Sequence, residues 1–172
     1  MKSIMMLLLA VAVGFGGYVY LNQPAQVPEI VLADGDGNRL GWADLRGDKE
    51  HLLLIFVLPN CPISKFGLEQ VAQIYDQYSR SLSFAGLYHG GQDSADSFGQ
   101  KQALPFPLYG IKNTPDPMAV NELFEAVGSS HGMRDVLYGG TILVLDSEHK
   151  LLLKLEKEDL RELTEKLESL FI

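Results

Sequence analysis

Cysteine is almost absent from this sequence, because Cys61 is the single cysteine among 172 residues. One cysteine excludes a disulfide within the chain and a zinc site built from several cysteines. Basic residues are also scarce, since 14 lysines and arginines stand against 22 aspartates and glutamates, which gives a formal net charge of −8. Such an acidic chain disfavours nucleic acid or an anionic membrane surface as the main partner.

Charge is missing altogether from one stretch near the N-terminus. Residues 4–21 contain no charged side chain, and as a helix they would extend about 27 Å, close to the minimum that crosses a bilayer. Lys2 is the single charge before them, and Tyr18 and Tyr20 lie near their far end. Lysine favours the cytoplasmic side of a membrane, and aromatic residues favour its interface. We therefore predict that residues 1–21 form a signal anchor, which is a single transmembrane helix.

A cleaved signal peptide is the alternative interpretation of this stretch, with residues 12–14 as a small-x-small cleavage site. In the anchor interpretation, residues 22–28 form a short polar linker and residues 29–172 form the globular domain. The expected location is the inner membrane, with one span and the domain in the periplasm. If the signal is cleaved, the domain is exported.

The rest of the sequence has a globular composition, and its apolar patterns alternate between two periods. Apolar runs predict strands over 29–33, 52–58, 82–88 and 106–109, and a hairpin over 141–145 and 150–155. Helical periodicity predicts helices over 62–80, 93–103 and 117–127, and a closing helix with an apolar stripe from Leu160 to Leu170. Asp93 or Ser94 is expected to cap the second of these helices. The alternation predicts an α/β domain of three layers around a mixed sheet.

Cys61 lies where the predicted strand over 52–58 gives way to a predicted helix. A helix N-terminus offers unpaired N–H groups and the positive end of the helix dipole, which favour the thiolate, the reactive form of cysteine. Pro62 suits the first helical position. The Ser64 hydroxyl and the Lys65 ammonium are expected to stabilise the thiolate. An inert cysteine that packs as a small hydrophobic side chain is the alternative interpretation.

Three stretches give the chain a resemblance to a known family. They are residues 36–47 (DGNRLGWADLRG), residues 54–64 (LIFVLPNCPIS) and residues 141–150 (TILVLDSEHK). They resemble, in order, the entry turn, the central strand with its active-site loop, and the hairpin of thioredoxin-fold redoxins. This family includes thiol–disulfide oxidoreductases and alkyl hydroperoxide reductases. The resemblance implies a thioredoxin-like three-layer sandwich with a central mixed sheet.

The sequence departs from the family pattern at four positions. Ser64 replaces the resolving cysteine of the CxxC motif, and Asn60 replaces a tryptophan that thioredoxins often carry. Gly140, directly before Thr141, stands where the family has a cis-proline that faces the substrate. Leu58 stands in the place of the threonine of the peroxiredoxin pattern. The resemblance therefore does not imply peroxidase activity of the usual kind.

The resemblance implies that Cys61 is the catalytic nucleophile, supported by Ser64 and Lys65. The loops expected to face the substrate contribute Asn60, Pro62, Gly140 and Thr141. We predict a membrane-anchored protein outside the cytoplasm that acts in thiol–disulfide redox chemistry on a thiol- or disulfide-bearing protein or a small thiol, without a cofactor. The alternative function is a domain that kept the fold, lost turnover and binds a partner during assembly of a membrane complex.

A copper chaperone is a third hypothesis for this sequence. Cys61, His131 and Met133 together offer the soft sulfur and imidazole ligands that suit Cu(I). Thioredoxin-fold copper chaperones use two cysteines and one histidine, whereas this chain has one cysteine. A solvated histidine and a core methionine are the simpler interpretation, so the sequence predicts no metal site.

Overall fold

The structure is a computed structural model that describes residues 26–112, 114–127, 139–156 and 159–171. The predicted transmembrane segment over 1–21 and most of the predicted linker lie outside these ranges. Within the described ranges, no helix is long and apolar enough to cross a membrane.

Strands and helices alternate along the described part of the chain, largely as the sequence predicts. The strands are β1 (Leu32–Ala33), β2 (Arg39–Leu40), β3 (His51–Val57), β4 (Leu82–Tyr88), β5 (Leu108–Gly110), β6 (Ile142–Leu145) and β7 (Leu151–Leu155). The α-helices are α1 (Trp42–Arg46), α2 (Pro62–Tyr78), α3 (Gln92–Lys101), α4 (Pro117–Val127) and α5 (Leu163–Phe171). A 3₁₀ helix, Leu160–Glu162, leads into α5.

Five strands form the central sheet in the order β5-β4-β3-β6-β7. The first three strands are parallel to one another, whereas β6 is antiparallel to β3 and β7 is antiparallel to β6. The helices α2 and α3 supply the long connections that neighbouring parallel strands require. The prediction of a mixed sheet is confirmed. β1 and β2 pair with each other in a separate two-stranded ribbon.

The central strand β3 is buried on both faces, and its alternating side chains divide the core into two layers. The residues Leu53, Ile55 and Val57 pack in the cluster that includes the buried faces of α2 and α5. The intervening residues of β3 pack in a second cluster with Trp42 and the buried face of α4. Burial of each such side chain contributes about 1.5–3 kcal/mol. β3 is therefore firmly packed, and so is its C-terminal end, from which the chain continues to Cys61.

The described chain begins at the end of the sheet that is remote from Cys61. Gln26 forms an antiparallel bridge with Lys150, which directly precedes β7. At the end of β6, just before this turn, Leu145 pairs with Leu52 at the start of β3. Cys61 follows the opposite end of β3, so the two features lie at opposite ends of the sheet.

Several predicted boundaries differ from the structure, and two of these differences have an identifiable cause. The first strand is shorter than the predicted 29–33, because its partner β2 has only two residues with which to pair. Helix α3 begins at Gln92 with Gly91 as its N-cap, so the prediction that Asp93 or Ser94 caps this helix is wrong. The reason is that the Gln92 side chain fixes the start of α3 against β5, through hydrogen bonds to the backbone of Leu108 and Gly110.

Candidate functional site around Cys61

The loop between β3 and α2 presents Cys61, which is half-buried and is a free thiol. Cys61 is the N-cap residue of α2 with an extended backbone (φ −86°, ψ 120°), and Pro62 occupies the first helical turn, as predicted. The Cys61 N–H donates to Leu58 O (3.2 Å), and the Lys65 N–H donates to Cys61 O (3.1 Å). The Cys61 backbone is therefore fixed at the N-terminal end of α2, where the helix dipole favours negative charge.

The buried Ser64 ties the first turn of α2 to the end of β3. The Leu58 N–H donates to Ser64 Oγ (2.9 Å), and Ser64 is only 1% exposed. Between them, Asn60 adopts a left-handed backbone (φ 63°), a conformation that asparagine tolerates better than most residues. The structure thus gives Ser64 a role in shaping the loop. Its predicted stabilisation of the thiolate stays a prediction.

The backbone of Gly139 and Gly140 packs directly against the Cys61 turn. Both residues have positive φ, +95° and +91°. A Cβ atom on Gly139 would lie 2.5 Å from Cys61 Sγ, and one on Gly140 would lie 2.7 Å from Ile63 O. The Gly140 N–H donates to Phe56 O (3.0 Å), which anchors this segment to β3. Glycine is therefore required at both positions, since any other residue would clash there.

Neither of the two predicted substrate-facing residues next to β6 is exposed. Gly140 is buried, and so is Thr141, with only 4% of its surface accessible. The residue that approaches the sulfur is Gly139, which is not among the predicted site residues. The Gly-Gly pair before the hairpin was the available signal, because two consecutive glycines indicate a backbone that must pass close to something.

A groove of about 390 Å³ opens beside Cys61. One wall comes from the β3–α2 loop and the first turn of α2, and it consists of Leu58, Asn60, Cys61, Pro62, Ser64 and Lys65. The other wall comes from the end of α3 and consists of Phe98, Lys101 and Gln102. The predicted residues Asn60, Pro62, Ser64 and Lys65 are thus brought together with Cys61. The α3 wall was missed, because no local pattern indicates which distant helix will pack beside a loop.

A second cavity, of about 440 Å³, lies between the Asp34 turn and the face of α3 that meets β5. Gln92 spans this region: its Nε2 donates to Asp96 Oδ1 (2.8 Å) and to Leu108 O (3.0 Å). Its Oε1 accepts the Gly110 N–H (2.8 Å). These bonds fix the start of α3, and they leave the amide of Gln92 fully engaged within the protein.

Two groups lining the second cavity have altered pKa values. The Asn38 side chain donates to the Asp34 carboxylate (2.8 Å), and this bond is the main cause that lowers the pKa of Asp34 below its ordinary 3.8. The backbone N–H groups of Asn38, Asp36 and Gly37 also lower this pKa, whereas desolvation opposes them. Burial raises the pKa of Tyr109 above its ordinary 10.0, and the negative charge of Asp34 adds to the effect.

Metal ligation was the third hypothesis drawn from the sequence. Among the described residues, no group of three or more histidine, cysteine, aspartate or glutamate side chains is arranged to hold a metal ion. His131 and Met133, the proposed partners of Cys61, lie outside the described residues. The copper hypothesis is therefore not tested by the described residues.

The fold, in contrast to the sequence, has clear relatives. No protein-family model matches the sequence, and no curated protein matches it. A putative protein disulfide isomerase from Bacteroides thetaiotaomicron superimposes with a TM-score of 0.62 at 14% identity, covering 87% of this chain and 89% of that one. The thioredoxin domain of a thiol-disulfide oxidoreductase from Bacteroides vulgatus gives 0.60 at 17% identity, covering 84% and 96%.

Peroxidoxin BcpB from Mycobacterium tuberculosis is a third structure of the same shape, with a TM-score of 0.64 at 15% identity, covering 86% of this chain and 95% of that one. At these identities the similarity concerns the fold. The matches extend over most of both chains. The chain therefore has the thioredoxin-like redoxin fold, which thiol–disulfide oxidoreductases and peroxiredoxins share.

Proposed function

We propose that this protein acts in thiol–disulfide redox chemistry with Cys61 as its single nucleophile. The observation that carries the proposal is the placement of the half-buried thiol at the N-terminal end of α2, beside an open groove. A thiolate is stabilised at such a position and attacks the sulfur of a disulfide. The thioredoxin-like fold supports the proposal, because oxidoreductases among its structural neighbours share it.

The reaction begins when the Cys61 thiolate attacks one sulfur of a disulfide R–S–S–R. One S–S bond breaks, a mixed disulfide Cys61–S–S–R forms, and R–S⁻ leaves with the electron pair of the broken bond. Ser64 occupies the position of a resolving cysteine and has no thiol with which to continue. A second, external thiol therefore attacks the mixed disulfide and releases Cys61, so that the protein returns to its starting state without net oxidation.

Two neighbours of Cys61 support this role. Lys65 is exposed, lines the groove and lies one turn from the sulfur along α2, so its positive charge favours the thiolate and its attack. Asn60 and Pro62 also line the groove and contact whatever occupies it. We propose that these residues form the substrate-facing surface. The Gly139–Thr141 segment, on the other side of the sulfur, is buried and supports the Cys61 turn from behind.

The proposed location is outside the cytoplasm, with residues 1–21 as a membrane anchor. The uncharged stretch over 4–21 and the single preceding charge of Lys2 support it. Fractionation of cells that express the full chain tests this location. We expect the protein in the membrane fraction after a carbonate wash, and recovery in the soluble cytoplasmic fraction would contradict the proposal.

A binding domain without turnover is the second candidate function, and one observation favours it. Gly139 lies so close to Cys61 Sγ that one side of the sulfur is covered by backbone. If the protein is such a binding domain, the thiol is an inert packing group, and the groove binds a partner without taking part in a reaction.

Alkylation of Cys61 distinguishes the two candidates. We expect iodoacetamide to modify the folded protein near neutral pH about tenfold faster than the chain unfolded in guanidinium, because only the fold supplies the helix N-terminus. Mixed-disulfide formation with neutral hydroxyethyl disulfide, followed by mass, is the second readout, and Cys61→Ser is the control that should show neither reaction. If the thiol reacts only after unfolding, the redox proposal is wrong and the binding domain is the remaining candidate.

A further inference from the structure

We propose that the groove beside Cys61 selects small, negatively charged substrates, namely carboxylate-bearing low-molecular-weight thiols and their disulfides. This inference rests on the proposed function of Cys61 and names its substrate class. It is carried by the charges, the shape and the composition of the two walls of the groove.

The groove is positively charged although the chain as a whole is acidic. The formal net charge of the chain is −8, yet the charged side chains that line the groove are Lys65 and Lys101, without a carboxylate among the lining residues. A cleft lined by one sign of charge concentrates ligands of the opposite sign and speeds their association. An anionic disulfide is therefore favoured at Cys61 over a neutral or cationic one.

The two lysines are also available for a ligand. Four other lysines pair with aspartate or glutamate within 4 Å, and they are Lys49, Lys150, Lys154 and Lys166. Lys65 and Lys101 have no such ion pair with any residue that the structure describes, and both are exposed. An ammonium group that is not neutralised by the protein retains its full attraction for a carboxylate.

The size and lining of the groove favour a small molecule. Its volume of about 390 Å³ falls within the range of roughly 300–1,000 Å³ that is common for small-molecule sites. The Phe98 ring, held by contact with Tyr88 at 5.3 Å between centroids, offers an apolar surface. The side-chain amides of Asn60 and Gln102 provide hydrogen-bonding groups. A short peptide-like body with carboxylates at its ends matches these features.

The reaction is the exchange already described, with R now carrying the carboxylate. As Cys61 takes up one half of the disulfide, the other half leaves as R–S⁻, and both halves are anions. The positive groove stabilises the mixed disulfide by holding the carboxylate of the bound half. A second molecule of the same thiol class completes the cycle, attacking the mixed disulfide and regenerating the Cys61 thiol.

Three disulfides of different charge test the inference on the full protein. Dithiobis(nitrobenzoate) is a dianion, hydroxyethyl disulfide is neutral, and cystamine is a dication. Second-order rate constants for reaction with Cys61 are measured at low ionic strength and compared with those for a small free thiol, which corrects for intrinsic reactivity. We expect a corrected preference of about tenfold for the dianion over the dication, and we expect added salt to reduce it.

Lysine variants test whether the lysines of the groove cause the preference for the dianion. Lys101→Gln should lower the ratio of the dianion rate to the neutral rate by about two- to fivefold. Lys112→Gln is the matched control, because Lys112 is also exposed and without an ion pair among the described residues but does not line the groove. This control variant should leave the ratio of the dianion rate to the neutral rate unchanged.

The outcomes separate this inference from the proposed function. If the neutral disulfide reacts but charge makes no difference, or if Lys112→Gln acts as strongly as Lys101→Gln, the groove does not select anions and the inference is wrong while the nucleophile stands. If none of the three disulfides reacts with the folded protein, the redox proposal itself fails and the inference fails with it.

Discussion

The two cavities of this protein differ more in how their polar groups are used than in size. The cavity beside the Asp34 turn is the larger, at about 440 Å³ against 390 Å³. Its amide and carboxylate groups bond one another, as Gln92 does with Asp96 and with the backbone of β5. The groove beside Cys61 holds a thiol and two lysines without ion pairs among the described residues. Uncommitted reactive and charged groups, rather than volume, distinguish a site for a ligand.

The largest expected effect comes from closing the space beside the thiol. Gly139→Ala should lower the free energy of unfolding by about 2–4 kcal/mol, because the new Cβ both meets Cys61 Sγ at 2.5 Å and occupies a positive φ. Urea unfolding measures this change in the free energy of unfolding. Gly37→Ala is the control, because Gly37 has a φ of +82° but nothing within 4 Å of its Cβ position, so it reports backbone strain alone.

A double-mutant comparison isolates the contact with sulfur. In a Cys61→Ala background the cost of Gly139→Ala should approach that of Gly37→Ala, since the sulfur is gone. An unchanged cost would mean that the clash is with Ile63 or with the backbone rather than with the thiol, and that the close approach to sulfur has no energetic weight.

The next effect in size concerns the polar network of the second cavity. Gln92→Ala should lower the free energy of unfolding by about 1–3 kcal/mol, because it leaves the Gly110 N–H and the Leu108 carbonyl without this partner. The rate of thiol exchange at Cys61 should stay within about twofold of the wild type. Gln100→Ala, on the same helix and also lining that cavity, is the control for loss of a glutamine. A large drop in exchange with Gln92→Ala would show that the two cavities are coupled.

The smallest effect is a pH dependence in the Asp34 turn. The pKa of Asp34 is lowered in the folded state by its bond from Asn38, so the stability that its ionised form contributes is present above pH 3.8 and is lost as the pH falls below that value. The melting temperatures of the wild type and Asp34→Asn should therefore converge as the pH falls below this value. Asp76→Asn, an exposed change on α2, should show no such convergence, and parallel curves for Asp34→Asn would contradict the prediction.

Sequence periodicity predicted the elements with strong patterns. The bounds of β4 and α4 match the predicted 82–88 and 117–127, and β3 differs by one residue at each end. A fully apolar run of seven residues and a clear 3.6-residue period leave few alternatives. Elements as short as β2 and α1 carry too little pattern, and both were missed. The start of α3 was misplaced because Gln92 owes its position to bonds with β5, which is far along the chain.

The candidate site was predictable only where it is local. Cys61, Pro62 and Lys65 follow from the strand-to-helix transition, which the sequence shows directly. Lys101 contributes the second charge of the groove from another helix, and its position depends on how α3 packs beside the loop. Gly139 is a similar case: the Gly-Gly pair indicates a close backbone approach, but tertiary packing determines that the approach is to Cys61.

The bridge between Gln26 and Lys150 fixes the point at which the chain enters the domain. This entry point lies at the end of the sheet where β3 begins, and Cys61 lies beyond the end where β3 finishes. Six residue steps of β3 separate the two ends by about 20 Å. A membrane tether that enters at Gln26 would therefore hold the domain by its base, with the thiol directed outward, so that a soluble substrate reaches it without approaching the bilayer.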